Sequence, residues 1–281
     1  METRLSSSTK EVIISEKRTT LIGERINPTG KKKLAEALKI GDLEIIRQEA
    51  RNQVLAGADI LDVNVGAGGV DEVAMLPQVV KLLMAETDMP LCLDSGDGNA
   101  IEAALKVYQG KALINSVKGT EHSLGQVLPL VKDYGAAVII LPADERGIPR
   151  DVETRMEIID RVIERSAKLG ISLNDLVVDC LVLSVGVDGH GGVVTLETIR
   201  RVKETYGVNI TLGASNISYG LPGREVINGV FLGMAIAAGC TCPVVDAAKV
   251  RKYIMAADLI LGNDRFSKQY LKYFRANENL F

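Results

Sequence analysis

Ile60-Leu61-Asp62-Val63-Asn64-Val65, stopped by Gly66, decides how the chain is read. It is an apolar, β-branched run of strand length with two polar groups set inside it. Seven more runs of this kind follow or precede it, at residues 20–24, 90–94, 112–117, 137–141, 176–183, 209–213 and 243–246. Each is followed by a stretch with helical period. Leu43, Ile46, Ala50 and Val54 share one helical face behind a candidate cap, Asp42. Val152, Met156, Ile159 and Ile163 do the same behind Asp151, with Glu153 in the first turn, where the helix dipole favours it. Eight strand–helix units with short loops imply parallel strands, since each strand returns through a helix. The count of eight, and the lack of a glycine-rich phosphate fingerprint after the first strand, favour a closed (β/α)8 TIM barrel over an open doubly wound sheet.

Composition agrees. Of 281 residues, 47% are hydrophobic, yet only 7 Tyr, 4 Phe and no Trp are present, so the core must be aliphatic. One domain is expected over residues 1–281, with an N-terminal extension at 1–18 and a helical tail at 263–281. The tail holds Phe266, Tyr270, Tyr273 and Phe274 at helical spacing, and packing against the barrel or across a dimer is the expectation for it. Charge is nearly balanced, 33 Lys+Arg against 36 Asp+Glu, with no obvious basic face, so nucleic acid is an unpromising partner. Cys92, Cys180, Cys240 and Cys242 form no C-x-x-C pair and read as reduced, which fits the cytoplasm. No apolar signal segment opens the chain. The apolar run 230–245 is broken by Gly233, Gly239 and Pro243, and reads as a buried helix followed by a strand instead of a membrane span.

In a parallel barrel the chemistry lies at the C-terminal ends of the strands. There the sequence places Glu24 and Asn27, Asp62 and Asn64, Asp94-Ser95, Asn115-Ser116, Asp179, Ser215-Asn216 and Asp246. Such residues often cap the following helix, and that reading suits Ser95 and Ser116. Asp94, Asn115, Asp179 and Asn216 together point instead to one shared mouth, because buried groups of this kind need partners. His122 and His190, read as loop residues, make no metal spacing, so no directly bound metal is expected. No Ser or Cys sits in a nucleophile elbow. Lys118 reads as a solvated loop residue in preference to a Schiff base. Lys31-Lys32-Lys33 reads as a solvated first turn in preference to a contact for an acidic tail or partner. What remains is a rim of carboxylates and carboxamides. A carboxylate accepts two parallel N–H bonds from an amidine-like edge, which pterins and guanine both present.

Five motifs then carry a resemblance: Gly23-Glu24-Arg25-Ile26-Asn27, Leu61-Asp62-Val63-Asn64-Val65-Gly66, Leu91-Cys92-Leu93-Asp94-Ser95, Ile114-Asn115-Ser116 and Gly213-Ala214-Ser215-Asn216-Ile217-Ser218. In this order, over nearly the full length, the chain resembles the pterin-binding, corrinoid-dependent methyltransferases. It is especially similar to those that act between methyltetrahydrofolate and a corrinoid/iron–sulfur protein, and more distantly to the folate domain of cobalamin-dependent methionine synthase. The resemblance implies a TIM barrel, a homodimer, and tetrahydrofolate or 5-methyltetrahydrofolate bound at the barrel mouth. It implies pterin contacts from Asp94, Asn115, Asp179 and Asn216, with Arg224 matching a family arginine in a variable loop. Glu24, Asn27, Asp62, Asn64 and Ser218 are expected to support them. The family has proline after the sixth-strand aspartate, where Cys180 stands here.

The reaction so implied is methyl transfer between N5 of tetrahydrofolate and the cobalt of a corrinoid (cobalamin) supplied by a partner protein. Asn216 is the candidate catalytic residue, since its amide can turn to serve either protonation state of N5. The residues do not write the direction; transfer from methylcorrinoid to tetrahydrofolate, as in a demethylation pathway, is preferred. Asp188-Gly189-His190-Gly191-Gly192 reads as a flexible glycine-rich loop, although it resembles a cobalamin motif with its last glycine one position early. Two alternatives stand beside this. A dihydropteroate synthase-like enzyme would want a basic, His-containing motif near the last strand, where Pro243-Val244-Val245-Asp246-Ala247 is found. A non-catalytic folate-binding subunit would use the same residues.

Overall fold

Alternation along each strand sets the architecture. In the computed structural model, which describes residues 1–276, an antiparallel hairpin of β1 (Thr3–Ser6) and β2 (Glu11–Ile14) precedes eight parallel strands. These are β3 (Ile22–Ile26), β4 (Ile60–Asn64), β5 (Leu91–Asp94), β6 (Leu113–Lys118), β7 (Ala137–Leu141), β8 (Leu176–Asp179), β9 (Asn209–Thr211) and β10 (Val244–Val245). Each is paired with the next in sequence, and β10 pairs with β3. The ring closes between β9 and β10 through Thr241 N–H to Ile210 O at 2.9 Å and Val244 N–H to Leu212 O at 2.9 Å. The chain is therefore a TIM barrel and a single domain.

Two helices, α1 (Lys32–Ile40) and α2 (Glu44–Ala56), follow β3. Single helices follow the rest: α3 (Glu72–Glu86), α4 (Gly98–Leu105), α5 (Glu121–Tyr134), α6 (Val152–Lys168), α7 (Gly191–Tyr206), α8 (Arg224–Ala238) and α9 (Ala247–Ile260). Asp151 caps α6 as expected, its side chain accepting from Thr154 N–H. At α2 the expectation was off by one: Leu43 holds the cap position and Asp42 bonds Glu44 N–H from just outside. The apolar run before residue 246 resolves into α8 and β10, and among the described residues no helix is long and apolar enough to cross a membrane.

Side chains one apart on a strand point to opposite faces. Outward residues such as Leu61, Val63, Leu93, Ile114 and Val178 join the core between strands and helices. Inward residues Ile60, Cys92, Leu113 and Val177 fill the barrel's lower half, joined from the hairpin by Leu5, Val12 and Ile14. The N-terminal extension is thus a stopper for the bottom of the barrel, which its polar, mixed composition did not announce. Gly23 shows how tightly the outer layer sits on the barrel: a Cβ there would lie 2.3 Å from Gln53 Oε1, which instead accepts from Arg25 N–H at 2.9 Å.

The tail differs from the rest. A short 3-10 turn, Arg265–Ser267, leads into α10 (Lys268–Ala276), which buries no residue. Tyr270 and Phe274 stack at 4.4 Å, and Arg251 of α9 lies over Tyr273 at 5.6 Å, but Phe266 is 83% exposed. The tail thus lies against α9 through Tyr273 and leaves Phe266 exposed. Phe281 and its neighbours from 277 lie outside the described residues.

Candidate active site

The same parity carries upward from the inner core. Asp62 follows Ile60 by two, Asp94 follows Cys92, Asn115 follows Leu113, and Asp179 follows Val177. Each polar side chain therefore faces inward, one layer above the apolar filling. Register sets Asp94 opposite Asn115 and Asn64, with Asp62 one layer lower, opposite Cys92. Together with Glu24, Asn27, Asn216, Arg224 and Asp246 they line a cavity of about 640 Å³ at the C-terminal end of the barrel. That volume is in the range that receives small molecules and cofactors.

Its floor is acidic. Asp62 is 2% exposed and accepts from Asn115 Nδ2 at 3.1 Å. Burial, and then the neighbouring charge of Asp94, push the Asp62 carboxyl well above the usual carboxylate range. Burial also raises Asp94, which Asn64 opposes by hydrogen bonding to it. Asp179 is pushed up to about 6 by burial, against the pull of Leu181 N–H at 2.7 Å and of Arg155. Glu24 is raised by burial too, and Ser215 Oγ donates to it at 3.0 Å. Several carboxylates crowded without an ion pair among the described residues are a site waiting for hydrogen-bond donors.

The rim is basic. Arg25 reaches Glu49 at 3.1 Å and Asp246 at 3.8 Å. Lys31 is a correction to the expected solvated turn: half-buried, it lines the cavity and donates through Nζ to Arg25 O at 2.7 Å. Only Lys32 and Lys33 are exposed. The reason is the chain reversal at 27–30, where Thr29 N–H bonds Asn27 Oδ1 and turns the next residue back over the mouth.

Asn216 lies in a 3-10 turn, Ala214–Ser218, beyond β9, and so not at a strand end. Its side chain is exposed and makes no hydrogen bond with any described residue, while its surroundings are held firmly. Arg224 donates to Ser218 Oγ at 3.0 Å and to Ser215 O at 2.8 Å, and Ser218 Oγ donates to Asn228 Oδ1 at 2.7 Å. Ser218 and Asn64 are not on the cavity wall; each braces a residue that is. Tyr219 is 69% exposed and not part of the cavity wall.

Other expectations need adjusting. The sixth barrel strand ends at Asp179, four residues early, because Leu181 takes a left-handed φ of 51°. Cys180, where the resemblance implied proline, donates its N–H to Thr211 O at 3.2 Å, a bond that proline could not make. His122 belongs to the first turn of α5 and not to a loop. Ser95 does not cap α4. Asp97 does, and Ser95 Oγ donates to Glu72 at 2.6 Å. Lys118 is the exposed last residue of β6. In the glycine-rich loop Asp188 bonds His190 N–H, and Gly191 and Gly192 open α7 against Leu183 and Ile217, so its end is a packed helix start.

Residues 23–246 match the model of the pterin binding enzyme family. The chain is 31% identical over 263 residues to a methylcorrinoid:tetrahydrofolate methyltransferase of Eubacterium limosum, covering 91% of this chain and 96% of that one. It is 33% identical over 243 residues to the methionine synthase of Mycobacterium leprae, covering 82% of this chain and 20% of that protein. The match to the methionine synthase spans less of this chain and only a fifth of that protein. Among solved structures, the dihydropteroate synthase of Yersinia pestis superposes with a TM-score of 0.72 at 16% identity, covering 93% of this chain and 100% of that one. The Xanthomonas albilineans enzyme in complex with 7,8-dihydropteroate does so with a TM-score of 0.69 at 20% identity, covering 92% and 98%. At those identities the likeness is one of fold.

Proposed function

The chain belongs to the pterin-binding enzymes, and from that premise we propose that it is a methyltransferase moving a methyl group between N5 of tetrahydrofolate and the cobalt of a corrinoid carried by a separate protein. The observation that carries this reading is the inward parity of Asp62, Asp94, Asn115 and Asp179, which gathers acceptors into one cavity. A pterin brings the matching donors on its ring N–H and exocyclic amino group. The similarity to the methylcorrinoid:tetrahydrofolate methyltransferase supports methyl transfer as the reaction, and transfer onto tetrahydrofolate as its direction.

Asp94, Asn115 and Asp179 hold the pteridine flat across the mouth, so that N5 lies in line with the incoming methyl carbon. Displacement at carbon needs no covalent nucleophile from the chain. Asn216 bonds N5. Its carboxamide accepts from N5–H as the N5 lone pair takes the methyl and the cobalt–carbon pair leaves with cobalt. Once the N5 proton has gone to solvent, the carboxamide donates to the bare nitrogen by turning about its last torsion. Freedom from protein partners leaves it able to turn, while Arg224 and Ser218 keep its backbone still. Asp62 and Asn64 set the pose from below, through Asn115 and Asp94.

The corrinoid, held by its own protein, supplies the cobalt–methyl bond; this chain contributes the open mouth against which that protein docks. The packed start of α7 supports a corrinoid carried elsewhere. A homodimer is part of the proposal, supported by Val226, Val230 and Met234, 66%, 60% and 51% exposed at four-residue spacing along α8. Four free, buried cysteines support a cytoplasmic setting.

The test is single-turnover mixing of the protein with tetrahydrofolate and a methylated corrinoid protein. The expected result is 5-methyltetrahydrofolate together with a demethylated corrinoid. Turnover of a dihydropterin pyrophosphate in its place would overturn the reading, and folate binding without any methyl exchange would reduce the chain to a binding subunit.

A further inference from the structure

We propose that Arg155 is a positioning residue for Asp179, fixing the turn that presents this carboxylate to the cavity. The inference rests on the reading of Asp179 as a pterin ligand. Arg155 lies on α6, is 0% exposed, and is no part of the cavity wall. Its guanidinium ties two loops together. Nη1 donates to Cys180 O at 2.7 Å and to Leu181 O at 2.9 Å, and Nε donates to Pro149 O at 3.2 Å. Thr195 Oγ1 adds a second donor to Leu181 O at 2.7 Å.

These bonds converge on the least relaxed backbone of the site. Leu181 has a φ of 51°, which a branched apolar residue rarely adopts, and in that conformation its N–H reaches back to Asp179 Oδ1. The turn persists because both carbonyls that flank it are pinned from behind. One oxygen of Asp179 is thereby engaged at the turn, and the direction of the carboxylate is set. No described carboxylate pairs with Arg155 within ion-pair distance, so its charge acts on Asp179 across the turn.

The titratable and charged groups around Asp179 are Arg155 from α6, Cys180 beside it, and Cys240 and Cys242 from the segment before β10, with Asp62 and Asp94 in the same cavity. Burial pushes the three thiols up, so they stay neutral; Arg155 is the cation whose charge lowers the Asp179 carboxyl, while Arg25, Lys31, Arg224 and Lys249 line the same cavity. Removing its charge lets burial raise the Asp179 carboxyl further. Folate held by the ionised carboxylate is then lost at a higher pH than in the parent protein.

The experiment is calorimetric titration with tetrahydrofolate between about pH 5 and about pH 8, on variants first shown to be folded by thermal melts. Arg155→Lys keeps the charge without the fork. It should bind about tenfold more weakly throughout, with the acid midpoint unmoved. Arg155→Met should bind more weakly and also shift the midpoint upward. Parental affinity in both variants overturns the proposal; so does weaker binding by Arg155→Met with an unmoved midpoint, which would mark a packing role alone. If neither variant folds, Thr195→Val, which removes only one donor from Leu181 O, should lose affinity severalfold, and parental affinity there overturns the proposal. Asp179→Asn separates the two levels: if it binds tetrahydrofolate like the parent at every pH, the assignment of Asp179 as a ligand fails first.

Discussion

The two ends of the barrel are made from the same eight strands and treat buried polar groups in opposite ways. At the lower end Asn209, 2% exposed, donates to Thr3 Oγ1 at 2.9 Å and to Ile14 O at 3.1 Å. Tyr108 accepts from Leu91 N–H and donates to Ser6 O at 2.9 Å. Leu5, Val12 and Ile14 fill what space is left. Polar capacity there is spent mostly within the protein, with Thr20 Oγ1 an exception. At the upper end Asp62, Asp94 and Asp179 are held above their usual range because burial strips them of water and little in the protein replaces it. Satisfied polar groups report on stability, and under-satisfied ones on a ligand.

The comparison breaks most easily at the lower end. Ile14→Ala deletes fully buried aliphatic volume from the stopper and should destabilise the fold by about 2–5 kcal/mol in denaturant melts, with folate affinity of the folded protein unchanged. A large loss of affinity in folded protein would show that the ends are coupled. At the mouth the opposite is expected. Asn216→Ala should slow methyl transfer by about two orders of magnitude with little change in melting temperature, since the side chain bonds to no described residue. An unchanged rate in rapid mixing would remove Asn216 from the chemistry.

A third test sharpens the contrast through pH. A carboxyl raised by folding stabilises most when protonated, so its contribution is present below the unfolded value near 4 and is lost as pH rises through the folded one. For Asp62 that window runs from about 4 to about 8. Asp62→Asn, whose side-chain oxygen can still accept from Asn115, should gain stability on the parent by roughly 1–3 kcal/mol across the window. A parallel pair of stability–pH curves would mean that Asp62 is not strained by burial. The smallest effect belongs to the tail. Deleting residues after 263 should cost about 1 kcal/mol or weaken assembly, because α10 buries nothing, and should leave folate affinity alone.

Much of this was legible in the residues because it depends on period. Cys92 and Asp94, or Val177 and Asp179, are two apart on a strand, and that alone puts each pair on one face. Four of the five family motifs lie on strands, β3 to β6, and the fifth in the 3-10 turn after β9. The misreadings have another cause. Asn216 looked like a strand end because Gly213-Ala214 continues an apolar run, yet the strand stops at Thr211 and the chain tightens into a 3-10 turn. Lys31 looked solvated because three lysines in a row usually are. Residues 1–18 read only as an extension because only alternate residues of a hairpin are apolar.

The sequence by itself determined the eight-fold alternation, the inward set of acids and amides, and the family, since periodicity and motif order are properties of neighbours along the chain. Only the tertiary structure decided what braces that set. Arg155 meets the turn after Asp179 from another helix, Arg224 clamps the turn that carries Asn216, and a distant hairpin closes the floor. Those partners are joined by packing across the barrel, where no local pattern marks which donor will face which carbonyl.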